Sequence, residues 1–312
     1  MTTTGTPPPA PPPGTTVEPE RAVTGRKLKT GAVQGQANWL VKLVILLMCV
    51  LWVVPVIGLL VTSFREQDAV NSSGWWTAIA NPLDFTQWTV ANYSQAWTDS
   101  RMGSAFVNSF AVSLPSTIIP IMIAAFAAYA FTFLEFRGRD WLFVFIVGLL
   151  VIPNQVALVP LLQFYGNIGL TGTFPAVWLA HAGFGMPLAI YILRNYMSGL
   201  PKAIVESAKV DGASHFKIFW RLIVPMSTPA LASFAIFQFL WVWNDLLVAL
   251  LFLGQGENQV LTVALAGLLG GQGQGWQLLT AGGIITIVVP LIVFVSLQRF
   301  FVRGMTSGAV KG

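Results

Sequence analysis

Cysteine is nearly missing from this chain of 312 residues: the single Cys49 lies within an apolar run and can form no intrachain disulfide, which excludes a disulfide-stapled secreted fold. Charge is almost as scarce. Charged residues make up 9% and hydrophobic residues 55%, whereas a water-soluble domain carries about a quarter charged residues, so a soluble fold of this length could not hide its apolar surface. No G-x-x-x-x-G-K-[S/T] segment is present to cradle nucleotide phosphates, and no chain of carboxylates crosses the apolar runs to couple protons. The two histidines, His181 and His215, fall in an apolar run and in a basic loop, which argues against a two-His metal site and an intramembrane enzyme. A net charge of +5 without any Lys/Arg run interleaved with aromatics argues against a nucleic-acid partner. The first long apolar run begins near residue 39 and is too long for a signal-peptide core.

What the chain does have is six apolar stretches, at about 39–63, 104–133, 141–165, 174–195, 229–253 and 277–299. At 1.5 Å per residue each is long enough to span a hydrocarbon core of about 30 Å. The expected fold is an all-α integral membrane protein with six transmembrane helices over residues 38–300. Pro115, Pro120, Pro153, Pro160 and Pro187 interrupt several stretches; in a membrane bundle such prolines mark kinks whose freed carbonyls must be satisfied by neighbours or water. Residues 1–37 open with TTTGTPPPAPPPGTTVEPE, a composition that favours a disordered tail over packing.

Basic residues set the expected orientation. Arg21, Arg26, Lys27 and Lys29 precede the first stretch; Arg137 and Arg139 follow the second; Arg194, Lys202, Lys209, Lys217 and Arg221 follow the fourth; Arg299, Arg303 and Lys311 follow the sixth. The alternate segments carry only Arg65 and Arg101 at 64–103, and none at 166–173 or 254–276. By the positive-inside rule the basic segments, with both termini, are cytoplasmic. The excess charge is then topology, with membrane lipid as its partner. Segment 64–103 is rich in Trp and Tyr, including Trp75, Trp76, Trp88, Tyr93 and Trp97, either as interfacial anchors or as contacts to an extracytoplasmic partner.

The cytoplasmic loop at 194–228 has internal order. Pro201 suits the first turn of a short helix, Ala203, Ile204 and Ala208 with Glu206 and Lys209 suit its body, and Gly212 suits its end. An amphipathic stretch at 213–223 follows, with Phe216, Phe219 and Trp220, and Pro225 closes it. The run Glu206-Ser207-Ala208, then Gly212, then Leu222, Val224 and Pro225 resembles the EAA motif of importer-type ABC permeases, which reads EAA, three residues, G, nine residues, I-x-LP. The spacing matches throughout; Ser207 replaces an Ala, and Leu222 and Val224 replace Ile and Leu. Downstream, FLWVWNDLLVALLFL and the ending LQRFFVRGMTSGAVKG are similar to the MalG-type permease of carbohydrate ABC importers. The resemblance covers about residues 39–312.

That resemblance implies a MetI-like permease fold in which residues 201–212 form a coupling helix seated on a cytoplasmic ATPase dimer. Glu206, Ser207, Ala208, Asp211 and Gly212 would be its coupling residues. It implies that the C-terminal cytoplasmic tail at 301–312, with Arg303, Gly304 and Lys311, reaches toward the ATPase, and that the 254–276 loop reaches into an extracytoplasmic sugar-binding protein. A MalF-like second permease subunit is expected to complete the pore. The chain itself needs no cofactor, because ATP is bound by the partner ATPase, and it is expected to be no enzyme. The stretch VALAGLLGGQGQGWQLLTAGG is similar to permeases for α-glucosides such as maltose and trehalose.

Polar residues within the apolar stretches are candidates for the translocation path: Asn154, Gln155, Gln238, Asn244 and Asp245. An ionised Asp in hydrocarbon costs several kcal/mol, so Asp245 needs a partner helix, an aqueous cavity or the headgroup region. For Asn154, Gln155 and Gln238 the competing reading is a helix–helix hydrogen bond. His181 is left without a titratable partner that the sequence can name. The alternatives to a sugar importer are an ABC permease for another solute, such as polyamine or phosphate, and an ion-coupled secondary carrier. The carrier would show inverted repeats or paired charges in broken helices, and neither is apparent.

Overall fold

The computed structural model describes residues 39–268 and 275–309, the last eleven of these by backbone alone. The Pro-rich segment at 1–37, the glycine run at 269–274 and Lys311 lie outside the described residues. By packing, the chain divides after Leu51. The described part of the first unit is the beginning of helix α1 (Trp39–Ser63), whose side chains from Trp39 to Val50 are exposed and apolar, with Lys42 as the exception. Such a surface suits lipid and not water.

In the second unit α1 ends at Ser63 and a folded segment outside the long helices follows: α2 (Gln67–Ser72), α3 (Trp75–Ala80), a 3₁₀ turn at Phe85–Gln87 and α4 (Ala91–Thr98). Then come α5 (Met102–Phe133), α6 (Arg139–Gly148) running into a turn at Leu149–Val151, α7 (Asn154–Asn167) and α8 (Phe174–Ser198). Short α9 (Lys202–Val210) and α10 (His215–Ile218) lead through a π turn at Phe219–Ile223 and α11 (Val224–Met226) into α12 (Thr228–Trp243). The chain closes with α13 (Leu247–Leu253), α14 (Leu261–Ala266) and α15 (Trp276–Ala309). Among the described residues the only β pairing is an isolated bridge between Arg65 and Trp88.

Four helices, α1, α5, α8 and α15, are each long and apolar enough to cross a membrane. Two further helix pairs have the length and apolar composition of a span only when joined across a bend: Arg139–Val151 meets Asn154–Asn167 at 97°, and His215–Met226 meets Thr228–Trp243 at 73°. Counting each bent pair once gives the expected six. The apolar run at 229–253, expected as one span, stops at Trp243 and resumes at Leu247. Hydropathy does not register the break, because Leu246 and Leu247 keep the run apolar while Asn244 and Asp245 bind backbone in place of the helix ladder.

The prolines behave in two ways. Pro153 sits at the 97° break, whereas Pro115, Pro120, Pro160, Pro187 and Pro290 lie within helices. A proline inside a helix frees the carbonyl four residues earlier. For three of them a side chain from another helix supplies the missing donor. Trp178 Nε1 donates to Ala111 O (2.9 Å), four before Pro115. Gln238 Nε2 donates to Ser116 O (3.2 Å), four before Pro120. Trp243 Nε1 donates to Thr286 O (3.2 Å), four before Pro290. Each pair satisfies a carbonyl that lipid could not and fixes the register of two helices.

Between these pins the helices meet through small residues. Ala124 and Ala128 of α5 and Ala189 of α8 are fully buried, which lets the two backbones approach closely, as membrane helix pairs require when no solvent drives them together. Outside the spans, the segment at 64–101 is built around Arg65, 1% exposed. Its guanidinium donates to Ala69 O (2.8 Å), Ser73 O (2.9 Å) and Ser73 Oγ (2.6 Å), and burial lowers its pKa from the usual value. Asn92 Nδ2 donates to the carbonyls of Ser63 (3.0 Å) and Arg65 (2.9 Å), binding α4 to the end of α1.

Candidate coupling segment and intramembrane polar cluster

Helix α8 ends at Ser198, and Gly199-Leu200-Pro201 turns the chain into α9. Pro201 precedes the first helical residue at φ −63°, where its missing N–H costs nothing. At the other end Ala213 N donates to Ala208 O (2.9 Å) and Gly212 N to Lys209 O (3.0 Å). With Gly212 at φ +76°, this is a Schellman stop. It explains part of the motif spacing: Ala208 provides the carbonyl that the returning chain needs, and Gly212, four residues on, provides the left-handed turn. A Cβ on Gly212 would meet nothing within 4 Å, so within this chain the requirement there is conformational and not steric.

One face of α9 is anchored. Val205, 3% exposed, joins Leu193 and Met197 of α8 in one buried cluster, with Ala208 and Ala213 packed against it. The next segment is pinned to α5: Tyr129 Oη lies 2.9 Å from His215 Nδ1, and Phe219 stacks on Phe126 with ring centroids 4.4 Å apart. The opposite face of α9 is free. Glu206, Ser207, Asp211 and Gly212 are exposed, as are Lys202 and Lys209, while Ala208 is half-buried. Val210, 88% exposed, is an apolar side chain at the tip of the projection that the motif pattern had not singled out. Arg303 and Gly304 lie on α15.

The intramembrane candidates separate into two groups. Asn154 and Gln238 border a cavity of about 960 Å³ between the α6–α7 pair, α8 and α12, together with Phe184 and Trp241. Gln155, Asn244 and Asp245 do not line it. Gln238 is fully buried: its Nε2 reaches Ser116 O and, at 3.4 Å, His181 O, while its Oε1 has no partner. It fits only because residue 185 is glycine, where a Cβ would come 2.6 Å from Gln238 Oε1.

Asp245 has a partner that sequence separation concealed. Its Oδ2 lies 3.7 Å from Nε2 of His181, which is 1% exposed, and Trp241 meets the imidazole edge-on at 5.2 Å. The same Oδ2 accepts from Ala249 N at 3.0 Å. Among the described residues no group of three or more His, Cys, Asp or Glu is placed to hold a metal ion.

Comparison with known proteins decides the family. Residues 116–307 match the family described as "binding-protein-dependent transport system inner membrane component". The chain belongs to this family. It is 52% identical over 272 residues to the osmoprotective compounds uptake permease protein GgtD of Synechocystis sp., covering 87% of this chain and 91% of that one. It is 42% identical to the alpha-glucoside transport system permease protein AglG of Rhizobium meliloti, with 88% and 97% covered. In fold it is similar to a chain of a bacterial ABC transporter that imports the acidic polysaccharide alginate, with TM-score 0.70 and 18% identity over 84% of this chain and 96% of that one. This permease is thus a multi-pass subunit of a carbohydrate-type ABC importer in the inner or plasma membrane, a transport protein and not an enzyme. Membership implies a complex with a binding protein, a second permease subunit and an ATPase.

Proposed function

We propose that this permease forms half of the translocation pore of a MalG-type importer for a small glycoside, with α-glucosides of the maltose or trehalose kind as cargo, and that α9 is where the ATPase dimer drives it. Both termini are cytoplasmic in this reading. The observation that carries it is the geometry of α9: a short helix closed by a Schellman turn, anchored on one face by Val205 and presenting Glu206, Ser207, Lys209 and Asp211 on the other. A tether would need neither the stop nor the anchor. ATP binding closes the ATPase pair, displaces the docked helices of this permease and a MalF-like partner, and turns the shared cavity outward; hydrolysis permits return. Differential affinity of the closed ATPase and the loaded binding protein for that outward arrangement supplies the driving free energy.

In the same reading Asn154 is the polar group that this chain offers to sugar hydroxyls at the cavity, and Arg303 and Gly304, with Lys311 beyond the described residues, approach the ATPase. The glucoside assignment is supported by AglG, named for alpha-glucoside transport; GgtD, named for osmoprotective compounds, widens the cargo to small compatible solutes. The test is ATP-dependent uptake by vesicles containing this permease, its partner permease, the ATPase and the binding protein, offered maltose, trehalose and raffinose, with Gly212→Val as control. Uptake of a glucoside that the substitution abolishes without loss of assembly is the expected result. ATP hydrolysis without uptake of any sugar would overturn the cargo, and uptake without ATP would overturn the coupling.

A further inference from the structure

We propose that His181 and Asp245 form a joint between the outer hairpin and α8, and that both act as positioning residues for energy coupling. The inference rests on the assignment of α9 as the coupling helix and adds how the outer face is connected to it.

Asp245 lies in the break between α12 and α13 and holds both arms of the hairpin that follows. Its carboxylate accepts from Ala249 N in the first turn of α13 (3.0 Å), and its carbonyl accepts from Thr262 Oγ1 in the first turn of α14 (2.6 Å). The hairpin is a stitched unit rather than a loose loop: Asn108 Nδ2 donates to the carbonyls of Glu257 (2.8 Å) and Gln259 (3.0 Å), and Leu261 N donates to Ser109 Oγ (2.8 Å). Those bonds fasten the hairpin to α5, and any shift of either arm reaches Asp245 through its own bonds to Ala249 and Thr262.

His181 stands opposite. Gln238 and Trp241 stand three residues apart on one face of α12 and Asp245 lies just beyond its end, and all three meet residue 181: Gln238 at its carbonyl, Trp241 at its ring, Asp245 at Nε2. Neither ring nitrogen has a hydrogen-bond partner, and a buried imidazole without one is costly. The 3.7 Å separation is within ion-pair reach but too long for a hydrogen bond. A small displacement of the hairpin makes or breaks the contact, which attracts whether the imidazole is neutral with its proton on Nε2 or charged. From His181 to Ser198 α8 is one helix, about 26 Å at 1.5 Å per residue, and it turns directly into α9. The joint thus ties the outer hairpin to one end of a rod whose other end carries the coupling segment.

The experiment uses the full complex in vesicles and measures ATP hydrolysis with and without binding protein incubated with maltose and trehalose. The ratio of the two rates is the stimulation. His181→Phe and Asp245→Asn should each lower the stimulation by about tenfold, a coupling of ordinary allosteric size, while hydrolysis without binding protein stays at the wild-type rate. The double variant should be no worse than the worse single one, and His181→Gln, which can still donate, should recover most of the stimulation. Unchanged stimulation in His181→Phe, single effects that multiply in the double variant, or a parallel fall in basal hydrolysis would each overturn the joint while leaving the coupling helix intact. A wild-type complex that loaded binding protein does not stimulate would overturn the coupling assignment and the joint with it.

Discussion

Trp243 Nε1 donates to Thr286 O, and Thr286 stands four residues before Pro290. The same relation joins Trp178 to Pro115 through Ala111, and Gln238 to Pro120 through Ser116. A proline in a membrane helix leaves a carbonyl that neither the helix nor lipid can satisfy, so these donors stabilise a bend and also choose which helices lie together.

This pairing has a direct test. Trp243→Phe keeps most of the apolar volume and removes the donor, so the complex should lose about 1–2 kcal/mol of stability, read as a lower midpoint of thermal unfolding in detergent. Pro290→Ala restores an N–H to the helix and gives Thr286 O its own partner. In that background Trp243→Phe should cost much less than it does alone. Equal losses in the two backgrounds would show that the indole contributes by packing only.

Gly212 separates two explanations of the motif glycine. Its φ of +76° disfavours residues with a Cβ by about 1–2 kcal/mol, least for Asn, and the space around it is open within this chain. If conformation is the requirement, Gly212→Asn should retain most uptake and Gly212→Val little, with assembly intact in both. If Asn is as damaging as Val, close approach of the ATPase is the limiting factor.

Gly185 is needed for a different reason. A Cβ there would sit 2.6 Å from Gln238 Oε1 and 2.9 Å from its Cδ, so Gly185→Ala must displace Gln238 from Ser116 O and reopen the carbonyl freed by Pro120. The expected loss is about 1–3 kcal/mol. Gly185→Ala combined with Gln238→Ala removes the clash but not the orphaned carbonyl, so it should recover part of the loss and not all of it. Full recovery would mean that Ser116 O finds another donor.

Much of this architecture is legible in the sequence, because apolar run length is a local signal. Spans such as 104–133 and 174–195 appear within a few residues of α5 and α8, and Pro201 and Gly212 bracket α9 as their backbone preferences require. The unread parts are those that depend on distance along the chain. His181 and Asp245 are 64 residues apart, Trp178 and Ala111 are 67 apart, and nothing in a window around either pair marks the other. The break at Asn244 is hidden for another reason: leucines flank it, and an apolar count cannot distinguish a helix from two short helices around a capped turn. Arg65 reads in sequence as a sparse charge between apolar runs, yet it is the buried centre of the segment at 64–101.

Arg65 also supplies a prediction for the segment between the first two long helices. Its guanidinium reaches three acceptors at Ala69 and Ser73, and a charged group hydrogen-bonded in this way contributes about 1.5–3 kcal/mol. Lysine has one terminal nitrogen and cannot reproduce the fork. Arg65→Lys should therefore loosen 64–101 without unfolding the spans, seen as faster amide exchange there and unchanged exchange in α5 and α8. Because Asn92 binds α4 to the backbone of Arg65 and Ser63, α4 should loosen together with α2. If α2 loosens while α4 keeps its protection, Asn92 and Tyr93 hold α4 to the end of the first span by themselves, and the segment is two independent pieces rather than one fold organised by the arginine.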